Sequence, residues 1–428
     1  MDFSERICTT LSFDWMPTYW SPRLTSSNAV TLSARAARET ARAMMAAENN
    51  FIFIIENSKW QLAKLKTKKR GCANALCNLT WRVPNKGHLP TEAELGAQGA
   101  EQRAFHELAA AATRSVSGKK VFVRGVVEIS NFCRENCHYC GMRRDNRSLA
   151  RFRARHEQLA EMLIHHRPAS MTDINIQAGE DPVAAREIAI PLIKTLRRET
   201  DLGVSVCLGT LSTQLYDELQ SVGASIYIIK FECADAKKYE LLEAPGTLDE
   251  RITHIRLLAE KKWNVSSGFI AGLPGQAPRD LLKNFELACA LPLSGCSVSP
   301  FISGADTPLA KNLMADPDLT FNCVAALRLM RPDWVIPAVS AFNLAAQDGY
   351  RRGLRAGANL VTINLTPDEF RGDYIIYKRD RFIMTEERVL DSIAAENLAP
   401  SKISLAGFYR GKKANGATVN KISETVSV

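Results

Sequence analysis

Three cysteines lie within one short run of the sequence, at Cys133, Cys137 and Cys140, with the spacing C-x3-C-x2-C. Three thiolates on one tight loop can hold three irons of a [4Fe–4S] cube and leave the fourth iron open for a small molecule. Zinc would take four protein ligands in a structural site, or three with help from His or carboxylate in a catalytic one. A disulfide would leave one cysteine over. Of these sites, the cube is the one that uses three thiols and no other protein ligand.

Charged side chains follow several other apolar runs. Gly179 lets a ligand approach the backbone, and Glu180 can accept a hydrogen bond from an ammonium group, although a plain turn with an acidic helix start has the same residues. Lys230 and Glu232 are two residues apart, so on a strand both point to one face. There they can bind a zwitterion or simply form a salt bridge. Arg251, early in the next helix, can bind a carboxylate through two parallel hydrogen bonds, or it can lie exposed to solvent.

Alternating strands and helices are expected to position these residues. From Thr91 onward, apolar β-branched runs alternate with amphipathic stretches of helical length. The predicted strands are Val121–Ile129, Asp173–Gln177, Val204–Leu208, Ser225–Phe231, Asn264–Ala271, Gly295–Pro300, Trp334–Ser340 and Asn359–Asn364. Strands that alternate with helices form parallel βαβ units, and eight of them predict an α/β protein with a closed (β/α)8 barrel of the TIM type. Active sites of such barrels lie at the carboxyl ends of the strands, where the residues described above fall.

The composition changes near Pro90, which divides the chain into three predicted parts. Residues 1–90 contain an Ala- and Arg-rich run that favours helix, so we expect an N-terminal extension of unknown role that is helical or partly disordered. Residues 91–391 are predicted to form the barrel. Residues 392–428 turn polar and are expected to form a tail, with a short helix followed by disorder.

The bulk composition narrows the partners and the compartment. With 46% hydrophobic and 24% charged residues among 428, the chain resembles an ordinary globular protein. No apolar run approaches the roughly 18 residues of a membrane helix, so we expect no membrane partner. The net charge of +9 comes partly from a basic run without a nucleic-acid-binding motif, so we expect a solvated face and no bound nucleic acid. The eleven cysteines suit a reducing compartment, the cytoplasm, or an organellar matrix if the N-terminal extension is a transit peptide.

Several strings of the sequence together resemble the radical S-adenosylmethionine (SAM) enzymes. The resemblance covers the chain from about Thr91 to Asp391. It is nearest to the biotin-synthase-like branch and, within that branch, to the [FeFe]-hydrogenase maturases of the HydE type. The strings that carry it are Cys137–Asn146, Gln177–Asp181, Gly272–Gln276, Pro300–Ile302 with Asp306–Leu309, and Ile336–Ala338 with Ala356–Asn359.

The resemblance implies a cofactor set and a reaction. Cys133, Cys137 and Cys140 would hold a [4Fe–4S] cluster whose open iron chelates the amine and carboxylate of SAM. One electron from an external donor of the flavodoxin or ferredoxin type would cleave SAM to methionine and a 5′-deoxyadenosyl radical, which attacks a small-molecule substrate. The residues predicted to contact SAM are Tyr139, Gly179, Glu180, Lys230, Glu232 and Arg251.

Departures from the maturase pattern leave the substrate open. Lys230 and Cys233 stand where the maturases usually have Arg and Thr, and Lys cannot replace the Arg fork in full. The first hypothesis is a HydE-like enzyme of hydrogenase H-cluster maturation, or of related sulfur and iron chemistry. The alternatives are a methylornithine-synthase-like enzyme that acts on a small amino acid, and a non-catalytic zinc-binding barrel.

Biotin synthase itself is disfavoured. That enzyme uses further cysteines on its barrel strands, and two of those positions are Ser205 and Ser266 in this chain. Cys207 is nearby, but the sequence does not decide whether its side chain points into the barrel.

Overall fold

A computed structural model describes residues 31–32, 51–56, 59–64, 88–377 and 382–412. In the N-terminal part, three strands form an antiparallel sheet in the order β1–β3–β2. They are β1 (Thr31–Leu32), β2 (Phe51–Glu56) and β3 (Lys59–Lys64). The prediction for this part was helix or partial disorder, so the described residues differ from it. The aromatic and β-branched residues of β2 favour a strand. The Ala-rich run that suggested helix lies outside the described residues.

Seven parallel strands of the rest of the chain form one sheet in the order β10–β4–β5–β6–β7–β8–β9. Their bounds are β4 (Lys120–Ser130), β5 (Asp173–Ala178), β6 (Gly203–Cys207), β7 (Ile226–Ile228), β8 (Asn264–Ala271), β9 (Gly295–Pro300) and β10 (Leu360–Asn364). Their buried Val and Ile residues pack against the surrounding helices. All seven coincide with predicted strands to within a few residues.

The segment around Pro337 lies between the two edge strands of this sheet, β9 and β10, and pairs with each of them through one isolated parallel bridge. Val335 pairs with Gly295 of β9, and Pro337 pairs with Leu360 of β10. The predicted strand Trp334–Ser340 is therefore present only as these bridges. Pro337 has no backbone N–H, so it cannot extend a regular ladder. The sheet nevertheless closes, and the predicted TIM-like α/β fold is confirmed.

Helices follow the strands, as the βαβ pattern predicted. Several begin at capping residues that the sequence carries, such as Thr247, whose side chain accepts from Glu250 N in a capping box. A π-helical turn, Ala185–Ala189, lies between α4 and α5. The helices are α1 (Glu92–Leu95), α2 (Gly99–Ser117), α3 (His156–His165), α4 (Pro182–Ala184), α5 (Ile190–Glu199), α6 (Thr213–Ser221), α7 (Ala236–Leu241), α8 (Leu248–Glu260), α9 (Pro278–Ala290), α10 (Pro317–Met330), α11 (Phe342–Ala345), α12 (Gly349–Arg355), α13 (Asp368–Arg371) and α14 (Glu386–Ala394).

C-terminal residues cover the amino end of the barrel. Strand β11 (Ala399–Pro400) pairs with the first residues of β4, and residues 405–412 are helical. The backbone N–H of Leu405 donates to both carboxylate oxygens of Asp173, at 3.1 and 2.9 Å. The segment expected to be a tail thus forms the floor of the barrel, as far as residue 412. In the part of the chain that the structure describes, no helix is long and apolar enough to cross a membrane.

Candidate functional site

The barrel encloses a cavity of about 340 Å³, which we call the chamber. Side chains alternate along each strand, so every second residue points inward, as Arg124, Val126 and Glu128 of β4 do. The loop with the three cysteines lies at one end of the chamber. Leu405 and Tyr409 of the floor lie at the other.

The three predicted cluster cysteines all line the chamber. Their loop follows β4 and is turned by backbone hydrogen bonds, from Cys140 N to Cys137 O at 3.3 Å and from Arg143 N to Cys140 O at 3.1 Å. Gly141 allows the loop to pack closely against the backbone at Ile375, because a Cβ at position 141 would lie 2.7 Å from the carbonyl oxygen of Ile375. The local spacing and this turn together bring the three thiols to one place.

The surroundings of these thiols fit a metal cluster. Burial raises the pKa of Cys133 and of Cys140, the latter to about 12, and burial with the neighbouring thiols raises that of Cys137. Three thiolates in such surroundings, one buried and two partly buried, therefore need a cation, which a cluster provides. Among residues 88–377 and 382–412, no three His, Cys, Asp or Glu side chains are grouped as one metal ion requires. A cube takes a wider arrangement, because each thiolate binds a different iron.

The predicted Gly179 and Glu180 lie directly beside this loop. A Cβ on Gly179 would be 2.3 Å from the carbonyl oxygen of Phe132, so the close approach requires glycine. The backbone N–H of Glu180 donates to Cys133 Sγ at 3.3 Å. Its carboxylate accepts from Arg251 Nη2 at 2.6 Å and from Arg134 Nη2 at 3.2 Å.

Arg251 is buried, with 4% of its surface exposed, so it is not a surface charge. Burial alone would lower its pKa, but the Glu180 carboxylate outweighs burial and raises it. Its Nε has no hydrogen-bond partner among the described residues. The ion pair of Glu180 and Arg251 is complementary to the ammonium and carboxylate of an amino acid. This donor set fits the methionine end of SAM.

Lys230 and Glu232 are in contact, but not because they share one face of a strand, as the sequence predicted. Strand β7 ends at Ile228, and Glu232 has a left-handed backbone with φ of 56°. The Lys230 ammonium still lies 3.4 Å from the Glu232 carboxylate and 3.4 Å from Ser299 Oγ. Burial would lower the pKa of Lys230, but Glu232 outweighs it and raises that pKa. Tyr139, the remaining predicted residue, also lines the chamber beside the thiols.

Two arginines of the site were missed by sequence reasoning. Arg134 lies within the cysteine run and binds Glu180 and the carbonyl oxygen of Thr210. Arg124 points into the chamber from a largely apolar strand. A charge at an inward position of a buried strand was the available signal, and Glu128 four residues later repeats it.

The other cysteines are now placed. Cys207 lines the chamber, which settles its direction. Cys233 and Cys296 are fully buried and do not line the chamber. Cys289 is exposed because it lies on the outer face of α9.

The chain is similar to several known proteins. The family model described as the Radical SAM superfamily matches residues 127–288. The chain is 31% identical over 274 residues to the [FeFe] hydrogenase maturase subunit HydE of Thermotoga maritima, covering 64% of this chain and 78% of that protein. It is 24% identical over 265 residues to 3-methylornithine synthase of Methanosarcina acetivorans, covering 61% and 75%. The crystal structure of methylornithine synthase (PylB) superposes with a TM-score of 0.66 at 20% identity, covering 74% of this chain and 95% of that one.

Proposed function

The chain belongs to the radical SAM superfamily, and from this premise we propose that it is a HydE-like enzyme, which acts in hydrogenase H-cluster maturation or in related sulfur and iron chemistry. Enzymes of this superfamily use a [4Fe–4S] cluster and SAM. Once bound by Cys133, Cys137 and Cys140, the cluster would supply the electron for reductive cleavage of SAM. The observation that carries the proposal is a loop of three thiols at one end of the chamber, beside a buried Glu–Arg pair.

We assign the residues as follows. Cys133, Cys137 and Cys140 hold the cluster. Glu180 and Arg251 bind the ammonium and the carboxylate of SAM, with Gly179 allowing the close approach. Tyr139, Lys230 and Glu232 complete the SAM-binding residues. The closed sheet and the floor keep water away from reactive species in the chamber.

A methylornithine-synthase-like function is the second candidate. Two charged side chains of the chamber support it, because Arg124 and Glu128 place a cation and an anion on its wall, as an amino acid requires. Detection of 3-methylornithine by mass spectrometry in cells that express the chain would favour this candidate. Restored hydrogenase activity in cells that lack HydE would favour the first. The zinc-binding barrel is set aside, because radical SAM enzymes use the cysteine loop for a cluster.

We propose an external one-electron donor of the flavodoxin or ferredoxin type, and a reducing compartment. Arg134 and Arg144 lie on the outer side of the cluster loop, with 48% and 59% of their side chains exposed. A partner can therefore approach within a short distance of the thiols. The cytoplasm fits these requirements, and so does an organellar matrix.

The decisive experiment measures SAM cleavage. The protein is reconstituted with iron and sulfide without oxygen, mixed with SAM and dithionite, and analysed for 5′-deoxyadenosine by chromatography. We expect product from the wild type and none above background from Cys137→Ala, because the cluster then lacks one ligand. Cys289→Ala, which changes an exposed thiol, serves as the matched control and should behave as the wild type. An iron-loaded wild type that releases no 5′-deoxyadenosine would refute the assignment.

A further inference from the structure

Cys207 is a thiol on the wall of the chamber that no part of the proposed SAM site uses. It is the last residue of β6, in register with Gln177 of β5, which also lines the chamber. Ser205, two residues earlier, points the same way and donates to Ile174 O at 3.1 Å. The surface that Cys207 keeps accessible therefore faces the chamber.

Two cations bracket Cys207 within the chamber. Burial raises the pKa of the Cys207 thiol, while Lys230 and then Arg124 act in the opposite direction. Lys230 lies toward the cluster end, beside Glu232. Arg124 lies toward the floor, where its strand begins. Because the net effect of these influences is a raised pKa, Cys207 keeps its S–H bond at neutral pH.

Arg124 indicates that a ligand reaches the depth of Cys207. The Arg124 side chain lines the chamber, and its Nε is buried with no hydrogen-bond partner among the described residues. The neighbouring Asp173 uses its carboxylate oxygens for Leu405 N and Thr172 Oγ1. A buried guanidinium nitrogen without a hydrogen-bond partner is costly, so an anionic group of the substrate, such as a carboxylate, is a fitting partner for Arg124 in addition to the nearby Asp173. A substrate whose anionic group binds Arg124 therefore extends past Cys207 toward the cluster end of the chamber.

We propose that Cys207 donates a hydrogen atom to carbon radicals formed in the chamber. An S–H bond is weaker than an alkyl C–H bond, so the transfer from sulfur to carbon is downhill. The carbon radical gains the hydrogen atom and forms a C–H bond, and Cys207 becomes a thiyl radical. One electron from the external donor and one proton from water then restore the thiol. This inference rests on the proposed radical SAM activity.

The location of Cys207 distinguishes it from ordinary core cysteines. Cys233, Cys296 and Cys323 are fully buried in side-chain packing, and none lines the chamber. In the cluster-free protein, a small thiol reagent such as methyl methanethiolsulfonate should therefore modify Cys207 faster than Cys296. Mass spectrometry of the peptides measures both. Equal protection of the two thiols would overturn the proposal without any need for a loaded cluster.

The main test uses SAM and dithionite in D2O, without added thiols or substrate. The Cys207 thiol exchanges to S–D, so the 5′-deoxyadenosyl radical should take deuterium from it. We expect deuterated 5′-deoxyadenosine from the wild type and from Cys289→Ser. We expect loss of the deuterium from Cys207→Ser, because a hydroxyl O–D bond is too strong to donate. The readout is deuterium per molecule of product, which does not depend on the yield.

Each outcome of this test decides something. Undeuterated product from the wild type, or equal deuterium from wild type and Cys207→Ser, overturns the role of Cys207 and leaves the radical SAM activity intact. Absence of 5′-deoxyadenosine from every variant refutes the proposed function, and the inference falls with it. Cys207→Ala provides a second variant that cannot donate a hydrogen atom from its side chain at all.

Discussion

At the scale of single residues, the site depends on charges that are buried as pairs. Glu180 is 7% exposed and Arg251 4% exposed, and their atoms meet at 2.6 Å. Taking either charge out of water is costly, and the cost is offset only while the partner is present. The pair therefore stabilises the fold, and in the function we propose it also prepares a site for a zwitterion. Both effects are lost together when one partner is changed.

Replacing Glu180 by Gln keeps the shape of the side chain and removes its charge. Arg251 then remains buried without its anion, which costs about 3–5 kcal/mol of unfolding free energy when one partner of a buried pair is removed. We also expect weaker binding of SAM. Urea unfolding and calorimetric titration with SAM measure the two effects. Glu240→Gln, at an exposed position of α7, should change neither.

At the scale of elements, closure of the barrel depends on a segment that is barely a strand. Arg328 of α10 is fully buried and holds this region through its guanidinium. Its Nε donates to Gly357 O at 2.8 Å, and its Nη1 donates to Pro332 O at 2.7 Å and to Trp334 O at 2.8 Å. Side-chain donors here replace the ladder that Pro337 interrupts.

Replacing Arg328 by Met should open this closure. Buried carbonyl oxygens lose their donors, at about 1–3 kcal/mol for each buried group left unsatisfied, so we expect a clear loss of unfolding free energy in urea. Removal of the buried charge stabilises the variant and partly offsets this loss of unfolding free energy. Burial disfavours the charged guanidinium, since it lowers the pKa of Arg328 to about 9. Arg256→Met, on the exposed face of α8, is the matched control. Equal stability of both variants would show that Arg328 does not hold the closure.

At the scale of the barrel unit, residues 89–98, 105–377 and 382–412 surround a chamber with two different ends. One end carries the cluster loop, and the floor is made by residues that follow in the chain after all the strands of the barrel sheet. Lys412 Nζ anchors the floor through Asp333 Oδ2 at 2.8 Å, and Tyr409 donates to Ser294 O at 3.3 Å. The chamber is closed only when this last segment has docked.

The anchor at Asp333 should make the floor sensitive to acid. Burial would raise the pKa of Asp333, but hydrogen bonds from Arg331 and Lys412 lower it from 3.8 to about 2. The unfolded state then binds more protons between these values, so the stabilisation is full above pH 3.8 and is lost as the pH falls to about 2.

Urea unfolding of the wild type and of Asp333→Asn across this pH range measures the effect. We expect the wild type to be the more stable of the two at neutral pH. The difference should shrink as the pH falls below 3.8 and vanish near 2. A difference that stays constant with pH would show that the carboxylate charge does not anchor the floor.

The sequence by itself determined which thiols lie together and the kind of fold. Cys133, Cys137 and Cys140 lie within one loop, so their proximity follows from spacing alone. The strands are local too, because burial on both faces gives each parallel strand a nearly continuous apolar run. The strand prediction was wrong for the segment around Pro337, where tertiary packing outweighs the local sequence pattern. This segment pairs with its neighbours without forming a regular strand.

Only the tertiary structure decided how the remaining residues meet. Arg251 and Glu180 are 71 residues apart, and Arg134 and Glu180 are 46 apart, so no local pattern predicts their contacts. The direction of Cys207 follows from the register of β6 against β5, because a shift of one residue would turn its side chain outward. Contacts across the barrel depend on closure of the whole sheet, which is a property of all its strands together and of no single segment.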